Sequence, residues 1–385
     1  MGNYECRACR GRDGEVVLDM GNQPACDYFP KYDEPGPDPV YPLQMWLCAS
    51  CGLAQLLTDP TVPEEPKGAE PAALVAQAED AVARVAAAGM LPAGARVAEY
   101  GSPHGGSWLG LLATRGLIPI GDGDQDGDEA DVIIDCFGMM HAADQAAAIA
   151  ERSDRLAPRG TLLLQFHSLA AIVRQGQWNA LRHGHYAYYS TTALTALLAG
   201  TGLKPRAAWQ FSLYGGTVLL AAGHDAPGHS DERPAMVRDA AAGPAETVRS
   251  LLADEAHSGI SSPSVVGGLQ REAAAQGNAL REWLTAQRAA GKSVLGYSAA
   301  SRAVALLCSA GVDAGLLPAV ADASPGKHGL RMPGTSIPVI SPAELTAAPP
   351  DEVLVFVPDL IPEVRKAYPE VEAAGAAWKD ISDLS

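Results

Sequence analysis

The sequence predicts an α/β protein in three units, a cysteine-built N-terminal module followed by two wound sheets. The supporting observations are two cysteine pairs, a stretch in which short apolar strands alternate with helices, and a second such stretch beyond a polar break. The pairs are Cys6-Arg-Ala-Cys9 and Cys48-Ala-Ser-Cys51. Two residues between cysteines let both thiolates turn toward one ion, and two such turns supply the four sulfurs of a closed tetrahedral zinc site. With every ligand drawn from the protein, that zinc would hold the N-terminus together and offer no open position for chemistry. Gly52 closes the second turn. Disulfides are the alternative, disfavoured because no secretory signal precedes Cys6.

Residues 1–60 read as short strands and turns around the cysteines, with Gly21-Asn22-Gln23-Pro24 as a turn. The Pro/Glu-rich stretch 60–71 reads as a linker. Residues 72–90 are Ala-rich and helical, stopped by Leu91-Pro92-Ala93-Gly94. Alternation then begins: strand 96–100, a glycine-rich turn 101–106, helix 108–115, strand 117–120, strand 131–136, helix 142–156 and strand 160–166. That order argues for a parallel sheet wound by crossover helices. Strands 207–213 and 217–222 would close it as a hairpin, giving a unit over 72–223. The polar run 223–234 marks a boundary. The last unit, 235–385, opens with helices, 269–289 being the clearest, and carries strands at 293–297, 317–321 and 353–357. No repeat of solenoid period is present.

The chain of 385 residues is 47% hydrophobic and 19% charged, an ordinary folded composition. Its formal charge of −17 argues against nucleic acid and anionic membrane as partners, though a local basic pocket can still take an anionic small molecule. No apolar run reaches membrane-spanning length, and a cytoplasmic protein is expected. Cys136 and Cys308 sit among apolar residues and read as core.

Two segments carry candidate chemistry. Glu99-Tyr100-Gly101-Ser102-Pro103-His104-Gly105-Gly106 follows a strand and opens a helix, where glycines let a ligand approach the backbone and the helix start favours negative groups. A plain tight turn is the other reading. The second segment runs from Gln177 to Ser190 and holds Arg182, His183, His185, Tyr186, Tyr188 and Tyr189. Histidine is the natural proton acceptor near neutral pH, and tyrosine can donate to a developing oxyanion. If extended, His183 and His185 share one face and offer two metal ligands, too few for a site alone. A satisfied structural pair is the other reading.

With these residues in view, the whole chain resembles the three-domain sugar-nucleotide C-methyltransferases. The knuckles with the 21–24 turn resemble their zinc module, and Glu99-Tyr100-Gly101-Ser102 their S-adenosylmethionine (SAM) turn. Met140-His141-Ala142-Ala143-Asp144 resembles their histidine loop. Residues 177–190 are similar to their Tyr-His-Glu-His segment, and Tyr214-Gly215-Gly216-Thr217 to their His-Gly-Gly-Ser turn. Gly296-Tyr297-Ser298-Ala299-Ala300-Ser301-Arg302 and the string Asp322, Pro325, Lys327, Gly329 resemble parts of their last domain. The resemblance implies a zinc-binding module, a central Rossmann-like methyltransferase domain and a C-terminal Rossmann-like α/β domain. It implies His185 as the base beside a sugar ketone, His141 as its assistant, and His183 and Arg182 in the same catalytic segment. Glu99, Gly101, Ser102, Gly105 and Asp122 would face SAM. Tyr186, Tyr189, Tyr214, Tyr297, Ser301, Arg302 and Lys327 would face a nucleotide-linked sugar, and Cys6, Cys9, Cys48 and Cys51 would hold zinc.

The departures are specific. Residues 123–129 are too few for the helices and strand that normally enclose the adenine, so the central sheet is expected to be truncated. Arg182 and Gly184 stand where the family has tyrosine and glutamate, and Ser298 and Arg302 where it has glycine and lysine. Arginine there can still grip a diphosphate through two nitrogens. Three readings follow: a SAM-dependent C-methyltransferase with a shortened cofactor domain, a relative performing enolisation, epimerisation or elimination without SAM, and a non-catalytic binding homologue.

Overall fold

The computed structural model describes residues 4–34, 37–59, 70–101, 106–121, 129–224 and 243–384. Most of the expected 60–71 linker and 223–234 boundary, together with Ser102, Gly105 and Asp122, lies outside them.

The N-terminal strands are β1 (Gly14–Pro24), β2 (Val40–Cys48) and β3 (Ala54–Leu56), paired antiparallel in that order. The residues expected as a turn at 21–24 instead finish β1. The central unit then runs through α1 (Ala72–Ala87), β4 (Arg96–Tyr100), α2 (Leu109–Ala113), β5 (Ile118–Pro119), β6 (Ala130–Cys136), α3 (Gln145–Arg155), β7 (Leu156–His167) and α4 (Leu169–Arg174). It continues with β8 (Ala187–Tyr188), α5 (Thr191–Ala199), β9 (Leu203–Phe211) and β10 (Thr217–His224). The central sheet has the order β5-β4-β6-β7-β10-β9, parallel except for β10, which pairs antiparallel with both neighbours. The predicted closing hairpin is therefore present. Strand β8 leaves this sheet and becomes the fourth strand of the N-terminal one, where Ala54 and Gln55 pair with Tyr188 and Ala187.

The sheet is short at its β5 edge. Only residues 120–129 join β5 to β6, with no helix among those described. Two arginines of α3 reach the end of β4 beside this connection. Arg152 lies over the Tyr100 ring at 4.0 Å and Arg155 at 5.8 Å, and Arg155 donates to the Gly121 carbonyl at 2.8 Å. Arg152 also forms a buried ion pair with Asp135, 2.6 Å from Nη2 and 2.7 Å from Nε. Arg152→Leu would strand that carboxylate without water or a counterion. A loss of about 3–5 kcal/mol is expected, read as a lower urea midpoint. A loss below about 1 kcal/mol, the range of exposed pairs, would show that the bridge is dispensable.

The last unit contains α6 (Pro244–Ser258), α7 (Pro263–Val266), α8 (Gly268–Ala289), β11 (Val294–Tyr297), α9 (Ser301–Ser309), β12 (Val320–Ala321), β13 (Val339–Ile340), α10 (Pro342–Ala347), β14 (Glu352–Val355), α11 (Ile361–Ala367), α12 (Pro369–Ala373) and β15 (Ala377–Asp380). Its sheet is wholly parallel, order β13-β12-β11-β14-β15. Helix α6 belongs by packing to the central sheet, because Val248 and Leu251 join the core of α3, α5 and β9. Its Glu255 carboxylate accepts from the Thr191 and Thr192 amides and so caps α5.

The N-terminal sheet lies between the two larger units. One face buries Leu18, Leu43 and Met45 in the core that holds α7, α8 and α9, while Trp46, Cys48 and Leu53 pack on Met139, Met140 and Phe166 of the central unit. No described helix is long and apolar enough to cross a membrane.

Candidate functional site

The four cysteine sulfurs all lie within 4.8 Å of one another. Cys6 to Cys51 and Cys9 to Cys48 are each 3.6 Å apart, close to the roughly 3.8 Å edge of a tetrahedron built on Zn–S distances of about 2.3 Å. Arg10 and Gly52 take positive φ to close the two knuckles. The sulfurs thus fit a structural zinc, as the spacing predicts.

The knuckle is also a support for the loop that follows β6. Arg7 donates to the Ala143 carbonyl at 2.9 Å and to Leu56 at 3.2 Å, and its own carbonyl accepts from Ala146. Arg10 pairs with Asp144, which caps α3 by accepting from Ala147. His141 sits in the short turn held this way. The second histidine loop is tied to the same place, for the Tyr186 amide donates to the Met140 carbonyl at 2.8 Å. That backbone bond brings His141 and His185 edge to face, with ring centroids 4.6 Å apart.

Both rings line a cavity of about 310 Å³ between the central and C-terminal sheets. Arg182, Tyr214, Tyr297, Ser301, Arg302 and Lys327 line it as well, so these predicted residues come together. His141 Nδ1 is 3.0 Å from the Gly184 carbonyl. A carbonyl can only accept, so Nδ1 carries the proton and Nε2 is the basic nitrogen of the neutral ring. Arg182 Nε donates to His185 Nε2 at 2.8 Å. A lone pair already engaged by a guanidinium is a poor proton acceptor. Of the two rings, His141 therefore presents the more basic nitrogen, while the expected base, His185, has its Nε2 engaged by Arg182.

Other predicted residues fall elsewhere. Gly184 has φ +80, so the 183–185 stretch is a turn and the two histidines do not share a face. His183 is buried against Tyr41 with Nε2 on the Pro42 carbonyl, and burial lowers its pKa. It is a structural histidine outside the cavity. Tyr186 lies under the Arg7 guanidinium, and Tyr189 is buried with its hydroxyl on Gln145, so neither lines the cavity. Glu99 accepts from Ser107 Oγ and the Trp108 amide, holding the turn to its strand instead of facing a ligand. Gly101 is exposed and also outside the lining. Lys327 lines the cavity but donates to the Ala299 carbonyl at 2.9 Å, buttressing the turn before α9. Cys136, expected in the core, is at the cavity wall; Cys308 is half-buried and bonds the Pro333 carbonyl.

Sequence reasoning missed Gln165, His167 and Phe137 as lining residues, and named Ser298 only as a departure in the turn before α9. Each lies at the C-terminal end of a strand, where ligands of parallel sheets bind. The run Leu164-Gln165-Phe166-His167, polar residues finishing an apolar strand, was the available signal. Phe137, Tyr214 and Ser298 have φ of 62, 55 and 74, three of the four positive-φ non-glycines among the described residues. Strain of about 1–3 kcal/mol each, gathered at one cavity, marks a site that the fold holds against preference. His167 stacks on Phe137 at 4.8 Å and tilts on Tyr214 at 5.5 Å.

The His167 pKa is pushed down to about 3, by burial first and then by Arg302 and Arg182. Free imidazole titrates near 6.5, so between those values the unfolded chain binds the extra proton. Stability from this group is whole above about pH 6.5 and is lost as pH falls toward 3. His167→Gln should flatten that loss, read as melting temperature against pH. An unchanged slope would assign it elsewhere.

A four-cysteine module, two α/β sheets and an imidazole pair in a cavity at their strand ends fit a small-molecule enzyme. Residues 6–65 match the family model for a zinc binding domain, and residues 214–379 match the model for the C-methyltransferase C-terminal domain. C-methyltransferase NovU of Streptomyces niveus is 24% identical, with 94% of this chain and 91% of that protein covered. The chain is thus similar to the three-domain C-methyltransferases along nearly its whole length, with a short β5–β6 connection in the central unit. Among solved structures, magnesium protoporphyrin IX methyltransferase from Synechocystis PCC 6803 is 16% identical over 40% of this chain and 83% of that one, TM-score 0.29. The glycopeptide N-methyltransferase MtfA is 13% identical over 41% and 93%, TM-score 0.27.

Proposed function

We propose that this enzyme removes a proton from the carbon beside a ketone and presents the enolate to the methyl group of SAM, on a nucleotide-linked sugar. The observation that carries the reading is the imidazole pair, with His141 Nε2 as acceptor and His185 held by Arg182. The C–H proton passes to His141 Nε2, the C–H electron pair becomes the enolate double bond, and negative charge collects on the former ketone oxygen. Arg182 puts a fixed positive charge beside that oxygen, stabilising it where water is excluded. The residues suit the reacting end of SAM: the Trp108, Phe137 and Tyr214 rings and the Glu70 carboxylate line the wall, and aromatic faces favour a sulfonium cation. When bound, the cofactor supplies an electrophilic methyl group. Ser301 and Arg302, opening α9, would take the diphosphate.

The ten-residue β5–β6 connection supports a second reading, in which the same platform enolises, epimerises or eliminates without methyl transfer. Calorimetry with SAM and S-adenosylhomocysteine tests the choice, and absence of binding at millimolar cofactor removes methyl transfer. Deuterium uptake by a nucleoside-diphosphate keto-deoxyhexose in heavy water then separates an enolising catalyst from a binding homologue.

A further inference from the structure

The buried guanidiniums of Arg152 and Arg331 each carry a carboxylate, Asp135 and Asp38. At the cavity Arg182, like Arg302 over the Tyr214 ring, carries none among the described residues. Its Nε is spent on His185, it is half-buried, and no carboxylate of the described residues forms an ion pair with it. Of the two aspartates near its loop, Asp59 accepts from the Gly184 amide, and neither Asp59 nor Asp27 lines the cavity. Gly184, beside it in the loop, brings no charge, and its φ of +80 disfavours any residue that would. Three carboxylates line the cavity, and none of them forms an ion pair with Arg182 among the described residues: Glu70 lies on the wall, and the other two are engaged. Asp322 accepts from the Ala299 and Ser324 amides and Glu363 from the Ala72 amide.

A second observation is independent. Gln165 is only 3% exposed, lines the cavity, and its Nε2 is buried with no hydrogen-bond partner. Native proteins rarely leave such a donor unmet. A ligand oxygen would satisfy it. His167, uncharged beside it on β7, adds a neutral polar edge without adding to the positive charge.

We propose that the reacting end of the cavity binds a carboxylate carried by the substrate itself next to its ketone, with the terminal nitrogens of Arg182 gripping the carboxylate and Gln165 donating to the adjacent oxygen. The ligand class is a 2-oxo acid, free or as part of a larger molecule. The inference rests on the proposed placing of the reaction at the imidazole pair and departs from that reading in the substrate, giving it a carboxylate that a plain sugar ketone lacks. A carboxylate there would fix the ketone beside His141 and pair the Arg182 charge that the resting site leaves unmatched.

Titration calorimetry on the full zinc-loaded chain tests it with 2-oxobutyrate, 2-butanone and inorganic pyrophosphate. Two oxyanion contacts to a guanidinium predict that 2-oxobutyrate binds at least about tenfold more tightly than 2-butanone. Arg182→Gln should erase that preference, Arg182→Lys should keep part of it, and Gln165→Leu should weaken 2-oxobutyrate severalfold. Equal affinity of the acid and the ketone in the unmodified protein overturns the proposal, whether or not the variants fold. So does tight pyrophosphate binding that Arg182→Gln abolishes, which would assign the guanidinium to a phosphate. Deuterium exchange at C3 of 2-oxobutyrate, followed by proton NMR, is scored separately. Binding without exchange supports the carboxylate site and removes the enolising reading instead.

Discussion

His141→Ala is expected to cut solvent-deuterium exchange into a bound ketone by about 10²–10⁴-fold, the usual worth of a positioned general base. His185→Asn should cost only about tenfold, as expected for a residue that orients. The ranking follows from two hydrogen bonds. The Gly184 carbonyl fixes the His141 proton on Nδ1 and leaves Nε2 to accept, whereas Arg182 already donates to His185. Unchanged exchange in His141→Ala with a full loss in His185→Asn would reverse the assignment. Unchanged melting temperature must accompany either result. His141 lies in a turn stitched to the zinc knuckle, so a folding defect would imitate a chemical one.

Removing zinc should be the most damaging change that leaves the cavity lining untouched. Structural zinc contributes about 10–16 kcal/mol in small zinc peptides, and here the four clustered cysteines are what ties residue 6 to residue 51. Both histidine loops hang from that module, His141 through Arg7 and Arg10, His185 through the β3–β8 pairing. Chelation or Cys48→Ser is therefore expected to abolish exchange while much of the central helical signal persists in far-ultraviolet circular dichroism. Metal release, followed with a colorimetric chelator, should coincide with the loss of exchange. A metal-free protein with full exchange would show that the module is decoration.

The architecture was largely legible because its signals are local. Cys-x-x-Cys spacing dictates the knuckles, and apolar runs such as Val132–Ile134 and Leu162–Leu164 announce buried parallel strands. The short β5 edge followed from arithmetic on residues 123–129. The site was legible only in part. Arg182, His141, His185, Tyr214 and the α9 turn could be read by resemblance. His183 could not be told from His185, because the choice depends on the positive φ of Gly184, which turns one ring to the cavity and the other to Pro42. The Tyr186 and Tyr189 assignments failed because aromatics near a site also serve as packing. Gln165 and His167 were missed because their role depends on sheet ends meeting across 130 residues of intervening chain, which no window of sequence reveals.

Strand β8 completes a sheet begun by the first sixty residues. The N-terminal module therefore leaves the ribosome long before its last strand is made, and its remaining apolar face waits for α7 to α9. Contacts so distant in sequence are slow to close. During synthesis the metal has to steady a half-built platform, and fragments that stop short of the last helices should aggregate rather than act as smaller enzymes.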